Sequence, residues 1–430
     1  MGRTSLIFLE ASGVGAMVVL RLVLVCVVCL TGVAAGGDWP QFLGLNRTGT
    51  SAETGLLKTF PSGGPQVVWK TALGTSMSGI AVSGEQAVTM FQDETQQFAV
   101  SLSANSGEVL WKTALAPAYE NGMGNGPRAT PTVSGGRVFA MTGEGLLVGL
   151  DAATGKLLWK VNVPQQFGGQ AAEYGVSCSP LVAGDLVIVQ AGSDSAGAIA
   201  VQCATGKLAW QARSGRSGYA SPVLVKLAGR LQVVVFDGAG AGGLDPATGA
   251  ELWQFPFPTE YDCNTACPVQ VGENELLISS GENHGSVILQ VTKSGGDLQV
   301  QPVWSSLGKD SQLRAEWQTP VVHEGHLYGL DNSGSAGPIT NLVCIRLSDR
   351  KTVWQKSRFG KGNLILADDC LWITTMKGEL VLAEAAAAGY RELGRAKIME
   401  TTRQAPSLPG GRLFVRDDQH VICLEVSASR

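Results

Sequence analysis

Six residues of complementary chemistry recur along the chain, each just before a short apolar segment. They supply cations, aromatic rings and an amide: Arg128, Tyr174, Tyr219, Asn264, Trp317 and Arg403. Brought to one place, such a set would bind a planar, anionic or peptidic ligand, because binding sites combine apolar rings with a few convergent polar groups. The alternative is that these side chains pack together and satisfy one another's hydrogen bonds.

Four other motifs match known chemistry less well. Residues 238–243 resemble a dinucleotide fingerprint, but residues 244–249 predict a strand and a turn where that fingerprint needs a helix. Residues 323–326 lack the His-Glu-x-x-His spacing of a zinc site. Residues 282–284 and 417–420 could form a metal or acid–base cluster, although the pattern is more typical of a solvated loop. Because the chain has only four histidines, we expect no metal site.

The six residues belong to a repeat that is marked by tryptophan. Eight segments end in the same way, with leucine replacing tryptophan in the last: Trp69, Trp111, Trp159, Trp210, Trp253, Trp304, Trp354 and Leu393. A second signature opens each unit, and in six units it contains proline: Pro131, Pro180, Pro222, Pro268, Pro320 and Pro406. Proline is tolerated there because the first residue of a strand need not donate a ladder hydrogen bond.

The composition favours an all-β protein with many tight turns. Charged residues make up 16% of the chain, against about 25% in ordinary soluble proteins, and glycine contributes 56 of 430 residues. These values argue against disorder, a coiled coil or a helix bundle. The net charge of −4 leaves no basic excess to neutralise phosphates, so we expect no nucleic-acid partner.

The order of the two signatures predicts an eight-bladed β-propeller built of four-stranded antiparallel blades. Each unit has four short strands that cannot bury a face alone, and radial stacking solves that problem. A lone tryptophan strand at 66–72 precedes the first unit, while residues 405–427 lack one. The strand around Trp69 should therefore complete the last blade and remove the free edges. Residues 66–430 would form the propeller, and residues 36–65 an N-terminal arm packed across it.

Strand alternation then predicts where a site would lie. The connections that lead into each first strand share one face with the connections between second and third strands. Most long, irregular segments belong to that face, and function concentrates on loops held by a rigid scaffold. The six residues should ring the propeller axis there.

Residues 1–35 have the pattern of an export signal. Arg21 precedes the apolar run 23–30, and the small residues 32–35 suit signal peptidase. Translation starts at Met1 or at Met17. Valine before both early cysteines argues against lipidation. We expect a periplasmic or secreted monomer with no membrane span after cleavage, and the alternative is a retained anchor.

Seven cysteines follow residue 35, and an odd number cannot form a complete disulfide framework. Cys263 and Cys267 lie close together in a polar loop. They could pair or remain free thiols.

The units resemble the pyrroloquinoline quinone (PQQ) propeller repeat, in which Ala-x-Asp-x-x-Thr-Gly-x-x-x-Trp recurs. Asp151-Ala-Ala-Thr-Gly-Lys-Leu-Leu-Trp159 and Asp245-Pro-Ala-Thr-Gly-Ala-Glu-Leu-Trp253 carry the resemblance. Residues 38–44 also resemble the Trp-x-x-Phe-x-Gly opening of that superfamily. The superfamily includes quinoprotein alcohol dehydrogenases and non-catalytic members such as the outer-membrane assembly factor BamB.

The resemblance implies a binding or scaffold module that holds an envelope or extracellular protein, or a small ligand, at its loop-rich face. No cofactor is expected. The alternative is a PQQ-dependent dehydrogenase of alcohols or sugars, in which Glu, Asn and Asp hold calcium and an adjacent cysteine pair covers the quinone. This chain has no adjacent cysteine pair after residue 35 and gives no residue-by-residue match to that calcium triad. A carbohydrate-binding or carbohydrate-degrading propeller is a third interpretation.

Overall fold

Eight antiparallel sheets follow one another along the chain in the computed structural model, which describes residues 37–334 and 339–428. The strands of blades 1 to 4, in chain order, are β2 (Ala81–Ser83), β3 (Gln86–Gln92), β4 (Gln96–Ser103), β5 (Val109–Pro117); β6 (Thr132–Ser134), β7 (Arg137–Met141), β8 (Leu146–Asp151), β9 (Leu157–Asn162); β10 (Leu181–Ala183), β11 (Leu186–Gln190), β12 (Ala198–Gln202), β13 (Leu208–Ala212); β14 (Val223–Leu227), β15 (Arg230–Asp237), β16 (Gly240–Leu244) and β17 (Glu251–Pro256).

The strands of blades 5 to 8 are β18 (Val269–Gln270), β19 (Glu275–Ser280), β20 (Gly285–Ser294), β21 (Asp297–Leu307); β22 (Val321–His323), β23 (His326–Ser333), β24 (Ile339–Arg346), β25 (Lys351–Lys356); β26 (Gly362–Ala367), β27 (Cys370–Thr375), β28 (Glu379–Glu384), β29 (Glu392–Lys397); β30 (Arg412–Arg416), β31 (His420–Glu425) and β1 (Gln66–Ala72). Within the described ranges, helix is confined to α1 (Val163–Phe167) and two single 3-10 turns, Glu260–Asp262 and Gly308–Asp310.

The ring closes as the sequence predicts. β1 pairs antiparallel with β31, from Gln66 opposite Glu425 to Ala72 opposite His420. The predicted eight-bladed propeller, closed by the strand around Trp69, is therefore confirmed. The eighth sheet has three full strands, and its innermost strand is reduced to one bridge between Ser407 and Phe414. Pro409, two residues after Ser407, has no N–H to donate, which shortens this ladder.

The tryptophans join neighbouring blades. Each of four indole Nε1 groups donates to a carbonyl in a turn of the next blade: Trp69 to Ala104 (3.0 Å), Trp111 to Ala152 (2.8 Å), Trp159 to Cys203 (2.9 Å) and Trp210 to Pro246 (3.1 Å). The turn glycine lies against the indole ring, and a Cβ at Gly155 would stand 2.6 Å from the Trp111 ring. The recurring Thr-Gly and Trp positions therefore form one inter-blade contact.

The N-terminal segment crosses the propeller on the face opposite the predicted site. Trp39 and Val82 exchange two backbone hydrogen bonds of 2.8 Å, and Ser51 N donates to Leu366 O at 2.8 Å. The Glu53 carboxylate accepts from the N–H groups of Gly410 and Gly411, both at 2.6 Å. We call this side, with the turns between first and second strands, the arm face. The other side is the funnel face.

Arg47 reaches from the N-terminal segment into the propeller axis. Its guanidinium donates to Ser179 O at 3.0 Å, to Pro222 O at 2.9 Å and to Pro180 O. These carbonyls lie at the first strands of blades 3 and 4, so one side chain connects neighbouring innermost strands with the arm. Arg47 is 3% exposed, and burial lowers its pKa to about 10.

Two further expectations from the sequence concern the export signal and the cysteines at 263 and 267. The export-signal prediction for residues 1–35 lies outside them. In the described part, no helix is long and apolar enough to cross a membrane. Cys263 and Cys267, which the sequence left open, are separate free thiols in the structure.

Candidate functional site

A funnel opens around the propeller axis on the funnel face. Its empty space is about 1180 Å³, including the open mouth. The wall comes mainly from residues that precede the first strands, and Phe42 of the N-terminal segment also lines it. The small residues Thr130, Ser179 and Ser221 of the proline signatures line it as well. Their short side chains leave the space near the axis free.

Five of the six residues singled out from the sequence line this funnel: Arg128, Tyr174, Tyr219, Trp317 and Arg403. Asn264 is at the expected point of the chain, but its side chain is fully buried behind the wall. Its Nδ2 donates to Asp237 O at 2.7 Å and to Phe257 O at 3.1 Å. The structure therefore gives Asn264 a role in holding the loops of blades 4 and 5.

One side of the funnel carries two arginines. Arg128 donates to the carbonyls of Gly126 and Gly124, both at 2.7 Å, and its guanidinium lies 5.0 Å from the Tyr119 ring centroid. Arg403 Nη1 contacts Met77 Sδ at 3.0 Å and Met123 O at 3.3 Å. Within the described ranges, neither arginine forms an ion pair with a carboxylate. We call Arg128 and Arg403 the cationic wall.

The electrostatics of the cationic wall follow from this arrangement. Burial lowers the pKa of Arg128 to about 10, and the neighbouring charge of Arg403 acts in the same direction. Arg403 Nε is buried and has no hydrogen-bond partner among the described residues. A thioether is a weak acceptor, so the Arg403 guanidinium has unused donor capacity.

Glu282 and Glu316 form a carboxylate wall. Lys361 Nζ lies 2.9 Å from Glu316 Oε1 and 4.6 Å from the centroid of the Trp317 ring. Glu316 Oε2 is buried, and no hydrogen-bond partner for it lies in the part of the chain that the structure describes. Burial, followed by the charge of Glu316, raises the pKa of Glu282.

The two walls lie on different sides of the ring. Arg128 leads into blade 2, and Glu316 leads into blade 6. In a closed ring of eight blades, these two blades are opposite each other. Arg403 leads into blade 8 and Glu282 belongs to blade 5, so the funnel carries positive charge on one side and negative charge on the other.

Aromatic rings line the space between the walls. Tyr174 and Tyr219 stack with ring centroids 5.9 Å apart and an interplanar angle of 23°. Tyr174 N donates to the Tyr219 hydroxyl at 3.2 Å, and burial raises the pKa of Tyr219. Flat apolar surface and opposite charges suit a ligand that carries both charges around an apolar or amide centre.

Sequence reasoning missed Glu316 and Lys361, whereas it placed residues 282–284 on the loop-rich face without assigning Glu282 to the funnel wall. Glu316 directly precedes Trp317 in the sequence. Inspection of the residue before each predicted site position would therefore have found it. Lys361 precedes a first strand that has no proline signature. Glu282 was assigned to a loop cluster with His284, but His284 packs 4.4 Å from the Phe257 ring.

The remaining motifs occupy structural positions. Residues 240–244 form β16 and lead through a turn into β17, so no helix follows the glycine-rich segment. His323 lies 3.3 Å from Asp369 in the turns of the arm face. Asp417 accepts from the N–H groups of Gln419 and His420. Within residues 37–334 and 339–428, no group of three or more His, Cys, Asp or Glu side chains is placed to hold a metal ion.

An eight-bladed ring with an open funnel and these tryptophan contacts defines the class of PQQ-like β-propellers. The family model described as outer membrane protein assembly factor BamB matches residues 96–356, and the chain belongs to that family. BamB of Moranella endobia is 23% identical over 298 residues, which cover 67% of this chain and 72% of the relative.

Two solved structures have the same fold. BamB from Moraxella catarrhalis superposes with a TM-score of 0.59 at 16% identity, covering 85% of this chain and 98% of that chain. Quinohemoprotein alcohol dehydrogenase from Comamonas testosteroni superposes with a TM-score of 0.65 at 14% identity, covering 91% of this chain and 81% of that chain. Since binding proteins and enzymes share this architecture, the fold alone does not select the function.

Proposed function

We propose that this chain is an exported, non-catalytic binding module that holds a partner at its funnel face. The observation that carries the proposal is the cationic wall, where Arg128 and Arg403 line an open funnel and pair with no carboxylate of residues 37–334 and 339–428. Keeping two arginines close together and partly desolvated costs free energy, because like charges repel and burial disfavours the charged form. A bound partner that supplies a carboxylate would recover this cost.

The family gives the partner a context. Relatives are named as outer membrane protein assembly factors, so we propose that this chain acts in the assembly of outer membrane proteins. The proposed location is the periplasm, and it rests on the export-signal pattern of residues 1–35.

The alternative, a PQQ-dependent dehydrogenase, fits the funnel less well. Calcium takes about six to eight oxygen ligands. The funnel offers the carboxylates of Glu282 and Glu316, and the latter is paired with Lys361. The nearby Cys263 is a free thiol, so it does not supply the cysteine pair that covers the quinone. We therefore derive no step through this cofactor.

Charge reversal tests the binding proposal. Arg128→Glu/Arg403→Glu should lose most of the partner recovered by pull-down from envelope extracts. Lys70→Glu/Lys160→Glu is the matched control, because it makes the same charge change at two exposed outer-strand positions and should retain the partner. Equal recovery with both double variants would reject the funnel as the binding face.

Reconstitution tests the enzymatic alternative. Purified protein with added Ca²⁺ and PQQ should show neither quinone absorbance after gel filtration nor dye-linked oxidation of alcohols or sugars. Retained quinone together with substrate-dependent dye reduction would establish the dehydrogenase and overturn the proposal.

A further inference from the structure

We propose that the funnel binds a dipolar peptide segment, with a cationic group at Glu282 and Glu316 and a carboxylate at Arg403 and Arg128. This inference rests on the proposed function and specifies the chemistry of the partner. It starts from the opposed walls of the funnel. A ligand of one charge would be attracted to one wall and repelled by the other, whereas a peptide with both charges satisfies both walls.

The carboxylate wall has an unmet requirement. The side chain of Glu316 is 10% exposed, and within the described ranges its Oε2 has no hydrogen-bond partner. Leaving a buried carboxylate oxygen unpaired is costly, and a hydrogen-bond donor would remove that cost. Lys361 already occupies Oε1, and Glu282 adds a second negative charge close enough to interact with Glu316. An ammonium or guanidinium group is the donor that also balances this second charge.

The cationic wall has a matching requirement. Arg403 Nε is buried without a partner in the described residues, and Nη1 contacts the Met77 thioether at 3.0 Å and the Met123 carbonyl at 3.3 Å. Asp418 interacts with the charge of Arg403, but no ion pair joins these two described residues. The covering residues Met77 and Met123 are unbranched and adaptable. Small movements of these methionines would expose the guanidinium edge to a carboxylate.

The surface between the walls suits a peptide. Rings of Tyr174, Tyr219 and Trp317 line it, and aromatic rings offer large, flat contact area with little loss of side-chain entropy. Thr130 and Ser221 also line the funnel, and hydroxyl side chains of this kind can exchange hydrogen bonds with backbone amides. The charges of the peptide can come from its termini or from its side chains.

Calorimetry with defined peptides tests the inference. The probes are Lys-Ala-Ala-Asp with free termini, the same peptide acetylated and amidated, tetra-alanine with free termini, and capped Lys-Ala-Ala-Lys. The wild-type protein should bind peptides carrying both charges and bind capped Lys-Ala-Ala-Lys at least about tenfold more weakly. Binding of capped Lys-Ala-Ala-Asp reports recognition of side-chain charges, and binding of tetra-alanine reports recognition of terminal charges. If the protein binds neither of these two peptides, the inference is overturned.

Charge reversal makes the test specific. Arg403→Glu should lower the affinity for the dipolar peptide about tenfold and raise the affinity for capped Lys-Ala-Ala-Lys. The exposed control Lys70→Glu should leave both affinities unchanged. Glu282→Gln, a milder change on the opposite wall, should also weaken the dipolar peptide and guards against misfolding of Arg403→Glu. Unchanged affinity in both wall variants overturns the inference. If the envelope partner still depends on Arg128 and Arg403 while no peptide binds, the binding function stands and the peptide inference fails.

Discussion

Replacement of Arg47 by methionine tests whether the N-terminal segment stabilises the propeller at its axis. Methionine keeps an unbranched apolar stem but removes every N–H donor. In the native protein the guanidinium donates to Ser179 O, Pro180 O and Pro222 O. These carbonyls immediately precede the first strands of blades 3 and 4, so the substitution removes one donor that two neighbouring blades share.

The expected loss of stability can be worked from two opposing contributions. Three hydrogen bonds from the charged guanidinium at about 2 kcal/mol each total about 6 kcal/mol, and Pro180 O keeps the Thr132 hydroxyl as a second donor. Removing the charge returns the cost of burying it, and the lowered pKa of Arg47, about 10 against 12.5, corresponds to about 3 kcal/mol. The free energy of unfolding should therefore fall by about 3 kcal/mol. For a chain of roughly 390 folded residues, this corresponds to a decrease in Tm of about 4 °C.

Thermal unfolding monitored by tryptophan fluorescence measures this change. Arg391→Met is the control, because the Arg391 side chain is 70% exposed and its ion pair with Glu384 is long, at 3.4 Å. Exposed substitutions of this kind change stability by about 0.5 kcal/mol or less, so the control should melt close to the wild type. Equal Tm values for Arg47→Met, Arg391→Met and the wild type would refute the reasoning about these hydrogen bonds.

Three further predictions concern the ring. Trp69→Ala should lower the free energy of unfolding by about 3–5 kcal/mol, and Trp159→Ala, equally buried at 8% exposure, should do the same. Denaturant titration measures both changes. An unchanged free energy of unfolding in Trp69→Ala would contradict ring closure. Gly378→Ala should lower the free energy of unfolding by about 3 kcal/mol, because φ is +78° and a Cβ would lie 2.0 Å from Met399 O. A Cβ at Gly135 has no described atom within 4 Å, so Gly135→Ala should lower Tm less than Gly378→Ala does. The reverse order of the two Tm values would contradict the packing. At Asp417, burial opposes ionisation, but hydrogen bonds from backbone N–H groups outweigh it and lower the carboxyl pKa below 3.8. This stability is present above the unfolded pKa and is lost as pH falls through the lower folded pKa, so Asp417→Asn should flatten the loss of Tm between about pH 5 and pH 2; an unchanged acid profile would contradict this.

Much of the fold could be predicted because its signals are repeated. The Trp strand and the proline signature each recur once in most blades. The chain begins with a lone Trp strand and ends with a unit that lacks one, which predicts the observed pairing of β1 with β31. The exception in blade 8 follows from Pro409, whose missing N–H ends the innermost ladder early. The signature around Pro406 predicts a full first strand in blade 8, and it hides the effect of Pro409 in the sequence pattern.

The candidate site was less predictable, because position along the chain fixes a blade and a face but not the direction of a side chain. Asn264 has the expected position and turns away from the funnel to bond the backbone of Asp237 and Phe257. Arg47 lies in a segment without repeats, so no periodic signal marks it as the residue that reaches into the axis. The pairing of Glu316 with Lys361 joins residues of different blades and emerges only from the closed ring.

A photo-crosslinking residue placed at Met123 measures directly whether the funnel face meets a partner. Met123 is 43% exposed beside Arg403, and Leu45, 66% exposed on the N-terminal segment, provides the control position. We expect a discrete adduct in intact cell envelopes from position 123, absent from position 45 and lost when Arg128→Glu/Arg403→Glu is added. An adduct from position 45 alone, or one from position 123 that survives the charge reversal, would contradict this expectation.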